Sequence, residues 1–248
     1  MTPDRGVIVM FAKRPEPGRV KTRMSPQLTP EQAAQLYACL LDDALEATSV
    51  AARQQGLEAV LAVHPAGACG ELAARCPPLF RVVAQRGADL AARMEHAVAE
   101  AAAGGARRIL LRGSDSPTLD SAVVGEALEA LDRVDLVVCP DRDGGYSLIG
   151  LREPVRGLFS HPMSTGSVLE DTLANAARAG LTVHSLAPRF DLDRIGDLRW
   201  LADARRDPHP PPCPRTLAFL DEYDIWRLVP SGLRAATPSP LAEAAQKR

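Results

Sequence analysis

Residues 107–119, RRILLRGSDSPTL, decide the fold class. Their apolar centre, residues 109–111, lies between turn signals and predicts a short strand covered on both faces, as in the middle of a parallel sheet. A tight Gly113-Ser114-Asp115 turn follows, and Pro117 favours the start of a helix. Because open α/β sheets bind ligands at the carboxyl ends of their strands, Asp115 is suited to hold a divalent cation against a diphosphate. The alternative is that Asp115 only caps the helix that begins at Pro117.

The composition is that of a globular domain with a well-buried core, since the 248 residues are 46% hydrophobic and 24% charged. A net charge of −2 and an aromatic content of 4% argue against a nucleic-acid-binding face. No apolar run is long enough to span a membrane, and the first apolar stretch is too short for a signal peptide. We therefore expect a cytoplasmic protein with reduced cysteines, no nucleic-acid partner and no membrane insertion.

The first strand and the loop after it indicate a phosphate site. Residues 6–12, GVIVMFA, form a continuous apolar run that predicts a buried strand. The proline-rich residues 13–30 follow, predicted to be non-helical, and they carry five cations within eleven residues: Lys13, Arg14, Arg19, Lys21 and Arg23. These cations repel one another unless an anion is near, and this is the expected position of a phosphate-binding loop. The alternative is a solvated loop with surface charges.

Strand and helix patterns alternate along the rest of the chain. Thr29, Pro30 and Gln32 form a capping-box start for a helix. Further strands are predicted at 57–63, 79–84, 134–139, 146–151 and 181–186, and helices at 70–76, from the 85–94 segment to about 103, at 121–131, 166–179 and 196–204.

The C-terminal part differs in character. Residues 207–214 are proline-rich and predict a stiff linker. An amphipathic helix at 217–228 is expected to dock on the core or on a second subunit, which would make a homodimer, and a disordered tail is expected from 231. This divides the chain into a domain at 1–206 and an appendage at 207–248.

Three further segments carry polar groups with two interpretations each. The Gln85 amide could contact a base edge, and Asp89 could accept from a ribose hydroxyl or cap a helix. The turn Asp143-Gly144-Gly145 permits close backbone approach to a ligand, although hairpins use such turns widely. Asp191 and Asp193 have the D-x-D spacing of metal ligands, but either could instead cap the helix at 196–204.

Six segments occur in an order that resembles a known superfamily: FAKRPEPGRVKTRM (11–24), QRGADLAARM (85–94), GSDSPTL (113–119), DGGYSLIGL (143–151), STGSVL (164–169) and FDLDRIGDL (190–198). Together they resemble the nucleotide-diphospho-sugar transferases over residues 6–206. The chain is most similar there to a small bacterial glycosyltransferase family associated with arsenosugar biosynthesis or radical-SAM proteins. It resembles phospholactate and molybdenum-cofactor guanylyltransferases more distantly.

The resemblance implies the GT-A fold, a three-layer α/β/α sandwich with a mostly parallel central sheet. It implies a nucleotide site formed by Ala12, Lys13, Gly18, Lys21, Arg23, Gln85, Asp89 and Ser114. It implies Mg²⁺ or Mn²⁺ bound by Asp115 with Asp191 or Asp193. It implies an acceptor or sugar pocket that includes Asp143, Gly144, Gly145, Tyr146, Ser164 and Thr165. In glycosyl transfer, Asp143 could deprotonate the acceptor hydroxyl if the reaction inverts the sugar configuration.

Three functions agree with these motifs. The first is metal-dependent glycosyl transfer from a nucleotide sugar to a small-molecule acceptor, with Asp115, Asp143 and Lys21 as catalytic residues. The second is nucleotidyl transfer, in which a phosphorylated small molecule attacks a nucleoside triphosphate and pyrophosphate leaves. The third is nucleotide binding without turnover, which the first loop permits because Gly18 is its only glycine, whereas superfamily pyrophosphorylases have a glycine-rich loop.

Overall fold

A computed structural model describes residues 5–163 and 165–229. Its seven strands are β1 (Gly6–Lys13), β2 (Leu57–His64), β3 (Phe80–Ala84), β4 (Arg108–Arg112), β5 (Leu136–Pro140), β6 (Tyr146–Leu151) and β7 (Val183–Ser185). The α-helices are α1 (Pro30–Gln55), α2 (Cys69–Ala73), α3 (Leu90–Ala103), α4 (Ser121–Leu131), α5 (Val168–Arg178), α6 (Leu198–Ala204) and α7 (Pro214–Glu222). Short 3₁₀ turns lie at Thr22–Met24, Ala66–Ala68, Ile195–Asp197 and Ile225–Leu228.

The strands form one sheet in the order β3-β2-β1-β4-β6-β5-β7. All neighbours are parallel except β6, which runs antiparallel to both β4 and β5. Alternate residues of β1 point to opposite faces of the sheet. Ile8 and Met10 pack with residues of α1 and α4, while Val7 and Val9 pack with residues of α3. Helices therefore cover both faces, which confirms the predicted three-layer sandwich with a mostly parallel sheet.

The predicted start of the first long helix is confirmed. The Thr29 hydroxyl accepts from the Gln32 amide at 3.2 Å, and the Gln32 side chain accepts from the Thr29 amide at 3.0 Å. Pro30 begins α1, where its missing N–H costs nothing, and Gly56 ends it in a left-handed conformation with φ 65°.

The segment after β7 packs on the same core as the first loop. Met24 and Leu28 lie in one apolar cluster with Leu36 of α1, Leu192 and Phe219 of α7. The predicted docking helix therefore contacts this chain's own core. It begins at Pro214, where a buried carboxylate on α1 satisfies the free amides of its first turn, and it ends at Glu222. That carboxylate belongs to Asp43, which accepts from the Thr216 amide and hydroxyl, each at 2.8 Å. The part of the predicted tail from 230 onward lies outside the described residues.

Two local predictions were wrong. No helix begins at Pro117; α4 begins at Ser121, because Asp120 accepts from the Val123 amide at 3.0 Å and caps it there. The first loop contains one 3₁₀ turn at Thr22–Met24 between its prolines.

All five cysteines are free thiols, and Cys139 is buried as expected. No described helix has the length and apolar character that crossing a membrane requires.

Candidate active site

The carboxyl ends of β1, β4 and β5 lie along one edge of the sheet, and the segment after β7 crosses this edge. The Arg189 amide donates to the Pro140 carbonyl at 2.9 Å, and the Leu192 amide donates to the Asp115 carbonyl at 3.2 Å. The Ser116 hydroxyl donates to the Phe190 carbonyl at 3.1 Å. These bonds bring the predicted D-x-D segment to the Asp115 turn.

Lys21 lies between two of the predicted metal carboxylates. Its ammonium is 2.8 Å from Asp115 Oδ2 and 2.7 Å from Asp193 Oδ1, and its side chain is 3% exposed. Burial alone would lower the pKa of Lys21, but the two carboxylates raise it above its ordinary value. The residue holds a left-handed backbone with φ 48°, a costly conformation for a side chain of this size. Lys21 is therefore a fixed positive charge that joins the first loop to both carboxylates.

The Asp115 carboxylate lies close to Gly113, two positions before it. A Cβ added to Gly113 would lie 2.9 Å from Asp115 Oδ1, so the carboxylate folds back over the glycine. Asp115 thereby faces Lys21 and does not cap a helix, which excludes the alternative interpretation. The helix-capping alternative for the D-x-D pair also fails, because Asp197 accepts from the Asp193 and Arg194 amides at 3.0 and 2.7 Å.

A second pair of acids, Asp141 and Asp191, lies beside this centre. The Asp191 amide donates to Asp141 Oδ1 at 3.2 Å. Burial raises the pKa of Asp141 to about 6, and it raises the pKa of Asp191 well above its ordinary value, with the charges of Asp115 and Asp141 adding to the rise. Among the described residues, neither Asp141 Oδ2 nor Asp191 Oδ1 has a hydrogen-bond donor, although both oxygens are buried. A shared proton or a cation would satisfy them.

Sequence reasoning missed Asp141, and it missed Arg112 and Tyr37. Arg112 is 3% exposed under the Asp115 turn and donates to the carbonyls of Gly113 and Leu119 at 3.0 and 3.3 Å. Burial lowers its pKa to about 10, and the charges of Asp191 and Asp115 oppose that shift. Both Asp141 and Arg112 stand at the ends of strands on the ligand-binding edge, which is the signal that could have found them.

The side chains predicted to bind the base or ribose, Gln85 and Asp89, form hydrogen bonds with the protein backbone. Gln85 donates to the carbonyls of Ala12 and Ala62 at 3.2 and 2.9 Å, so its amide nitrogen ties β1 and β2 together. Asp89 accepts from the Ala92 amide at 2.9 Å and caps α3, the second interpretation given for it. Of the Gln85 side-chain amide, only the oxygen remains to contact a base.

The remaining nucleotide-site candidates lie on or next to the first loop. The Lys13 side chain is exposed, Arg23 lies 3.4 Å from Asp193, and Gly18 adopts φ 73° in a turn closed by the Arg19 amide. Ser114 is buried next to Asp115 and shares a hydrogen bond of 2.8 Å with Tyr37.

The Asp143-Gly144-Gly145 turn packs against protein backbone. Gly144 has φ 92°, an added Cβ would lie 2.0 Å from the Gly166 carbonyl oxygen, and the Leu169 amide donates to the Gly144 carbonyl at 2.9 Å. The glycine is therefore required by the neighbouring segment of the chain. Asp143 is exposed, and its carboxylate accepts from the Gly145 amide at 3.0 Å.

The other acceptor-pocket candidates occupy this neighbouring segment and β6. The Tyr146 hydroxyl is buried, and burial raises its pKa to about 12. Thr165 lies 3.1 Å from the Ser167 hydroxyl, and both are close to the Gly144 contact. Ser164 lies outside the described residues.

The donor chemistry at this edge fits Mg²⁺ or Mn²⁺, which prefer carboxylate oxygens. The two buried oxygens of Asp141 and Asp191 without donors support that fit. Over 5–163 and 165–229, however, no three acidic, histidine or cysteine side chains converge on one metal position. The Lys21 ammonium instead bonds to Asp115 and Asp193.

Comparisons with known proteins agree with the fold. The family of uncharacterised proteins conserved in bacteria (DUF2064) matches residues 47–165. A candidate nucleotide-diphospho-sugar transferase from Desulfovibrio desulfuricans G20 is 30% identical, with a TM-score of 0.79, and the match covers 91% of this chain and 99% of that one. No curated protein matches the sequence.

Two more distant structures share the fold alone. A cytidylyltransferase from Leptospira borgpetersenii is 11% identical with a TM-score of 0.56, and the match covers 94% of this chain and 99% of that one. A 4-diphosphocytidyl-2C-methyl-D-erythritol synthase is 13% identical with a TM-score of 0.52, covering 81% of this chain and 98% of that one. The chain therefore belongs to the same family, and has the same fold, as the Desulfovibrio nucleotide-diphospho-sugar transferase candidate.

Proposed function

We propose that this protein is a metal-dependent glycosyltransferase that transfers a sugar from a nucleotide sugar to a small-molecule acceptor. The observation that carries the proposal is the contact of Lys21 with both Asp115 and Asp193, at 2.8 and 2.7 Å. It joins the cationic first loop and the carboxylates at the ligand-binding edge of one sheet, where a diphosphate would meet both kinds of group. The relative in Desulfovibrio supports a nucleotide-sugar donor.

The chain's own residues would act in three ways. Lys21 would neutralise the negative charge that develops on the leaving nucleoside diphosphate. Lys13 and Arg23 would hold the outer phosphate oxygens as further cations. Asp143, exposed at the rim, would take the proton from the acceptor hydroxyl if the reaction inverts the sugar configuration.

Asp115 with Asp191 or Asp193 would hold the divalent cation, and Asp141 accepts a hydrogen bond from the Asp191 amide. The cation would act as a Lewis acid on the diphosphate oxygens. Because the Lys21 ammonium bonds to Asp115 Oδ2 and Asp193 Oδ1, the cation would take other oxygens of these carboxylates.

Nucleotidyl transfer is the second candidate, and the same ammonium favours it. A buried lysine beside Asp115 could equally stabilise charge around the α-phosphorus of a nucleoside triphosphate while pyrophosphate leaves. The two reactions differ in product: sugar transfer releases a nucleoside diphosphate, and nucleotidyl transfer releases pyrophosphate.

The test begins with a thermal-shift screen of nucleotides and nucleotide sugars, with and without Mn²⁺, because a ligand that binds only the folded state raises its melting temperature. Ligands found this way are then incubated with candidate acceptors, and both products are assayed. Asp115→Ala should lose turnover. Asp132→Ala is the matched control, since Asp132 is an exposed aspartate at the C-terminal end of α4 and lies 3.9 Å from Arg108, the first residue of β4, whereas Asp115 follows the last. Binding without either product would favour a non-catalytic nucleotide-binding protein.

A further inference from the structure

Tyr37 connects the two loops that form the site. The backbone amide of Lys13 donates to the Tyr37 hydroxyl at 2.9 Å, and that hydroxyl lies 2.8 Å from the Ser114 hydroxyl. Tyr37 and Ser114 are each 4% exposed, so water does not compete for these bonds. The ring packs beside Val20 and Ala34, which are likewise buried. One phenol on α1 thus sets the spacing between the end of β1 and the turn after β4.

In the hydrogen-bonded series formed by the Lys13 amide, the Tyr37 hydroxyl and the Ser114 hydroxyl, one hydroxyl proton has no acceptor among the described residues. The Lys13 amide can only donate, so the Tyr37 oxygen accepts from it. The two hydroxyls of Tyr37 and Ser114 share one bond, which uses one of their two protons. Burial raises the pKa of Tyr37, which keeps the phenol protonated. Among the described residues, no acceptor takes the second proton.

Either hydroxyl can donate this bond, and when Tyr37 donates it, the spare proton is that of the Ser114 hydroxyl. Ser114 is next to Asp115, whose carboxylate binds the Lys21 ammonium. A neutral donor beside a fixed cation suits an anionic oxygen, because hydrogen bonds to charged acceptors are about twice as strong as neutral ones.

We propose that Tyr37 is a positioning residue of the phosphate site: it holds the Lys13 backbone and directs the Ser114 hydroxyl toward a phosphoryl oxygen of the bound diphosphate. The inference rests on the proposed function, since it takes the ligand at this edge to carry a diphosphate. Tyr37 itself does not touch the ligand. It acts through Ser114, so the loss of either hydroxyl should have the same consequence.

Inorganic pyrophosphate is the probe, because both candidate reactions involve a diphosphate group. Its dissociation constant is measured by calorimetry for the full chain and for Tyr37→Phe, Ser114→Ala and the double variant. We expect each single variant to bind about tenfold more weakly. The double variant should bind no more weakly than either single variant, because residues of one hydrogen-bonded chain are not additive. Ser49→Ala is the control. The Ser49 hydroxyl lies on the same helix as Tyr37, is buried, and has no hydrogen-bond partner among the described residues.

The outcomes separate the inference from the proposed function. If Tyr37→Phe binds pyrophosphate as tightly as the unaltered protein, or if the two losses simply multiply in the double variant, the positioning role is wrong and the proposed function stands. If Tyr37→Phe lowers the melting temperature but not the affinity, Tyr37 is only structural, which also overturns the inference. If the unaltered protein binds no pyrophosphate, both fail. Should Tyr37→Phe not fold, Ser114→Ala alone still decides whether that hydroxyl contacts the anion.

Discussion

Lys21→Met should destabilise the protein although it places an apolar side chain of similar length in a buried position. Removing one partner of a fully buried ion pair costs about 3–5 kcal/mol, whereas exposed pairs contribute about 0–1 kcal/mol. Here the lysine is 3% exposed, but the carboxylates of Asp115 and Asp193 are 29% and 34% exposed. An intermediate loss of about 2–3 kcal/mol is therefore expected at pH 7. For a chain of this size that corresponds to a melting temperature lower by roughly 4–12 °C.

The pH dependence distinguishes charge loss from poor packing. Burial would raise the pKa of Asp193, but Lys21 holds it below its ordinary value. A carboxyl with a lowered folded-state pKa contributes stability above its unfolded pKa of about 4, and that stability is lost as the pH falls through the folded-state value. The decrease in the free energy of unfolding caused by Lys21→Met should therefore be largest at pH 7 and become smaller below about pH 4.

Urea denaturation of Lys21→Met, with Lys13→Met as the control, measures the effect. Lys13 ends β1 just before the same loop and its side chain is exposed, so its replacement should change stability by less than about 0.5 kcal/mol. Excess Mn²⁺ should restore more stability to Lys21→Met than to the unaltered protein, since a cation can replace the lost charge. An unchanged free energy of unfolding at pH 7, or a cost that persists undiminished at pH 3, would refute this account of the site.

Three further predictions follow from single contacts. Asp115→Ala should abolish metal-dependent product formation while the protein stays folded, as monitored by circular dichroism; retained turnover would contradict its assigned role. Asp141→Asn should stabilise the protein, because burial raises the Asp141 pKa to about 6. The increase in the free energy of unfolding of Asp141→Asn should grow from pH 4 to pH 7, toward an upper limit of about 3 kcal/mol. An increase of the same size at both pH values would contradict the raised pKa of Asp141. Gly144→Ala should cost at least about 2 kcal/mol, because its Cβ would strike the Gly166 carbonyl. Gly18→Ala, with a similar φ of 73° and open space around it, should cost only about 1–2 kcal/mol in the same denaturation series.

Local patterns in the sequence were enough to predict the layers of the fold and the sheet edge where the candidate residues meet. Strands such as Tyr146–Leu151 follow from local apolar runs, and the start of α1 follows from the reciprocal side-chain bonds of Thr29 and Gln32. The carboxyl ends of neighbouring parallel strands meet at one edge of a sheet by geometry. Lys21 and Asp115 could therefore be expected near each other although 94 positions separate them.

The hydrogen-bond partner of each polar side chain, in contrast, depends on packing between distant parts of the chain. Asp89 and Gln85 carry the same groups whether they bind a nucleotide or the backbone, and packing directed both to the backbone. Tyr37 has the spacing of an apolar helix face, so nothing local distinguishes its phenol from an ordinary core residue. Its bond to Ser114 joins positions 77 apart in the chain. The acid pair of Asp141 and Asp191 likewise exists because the segment after β7 returns across the sheet edge, a path that no local pattern encodes.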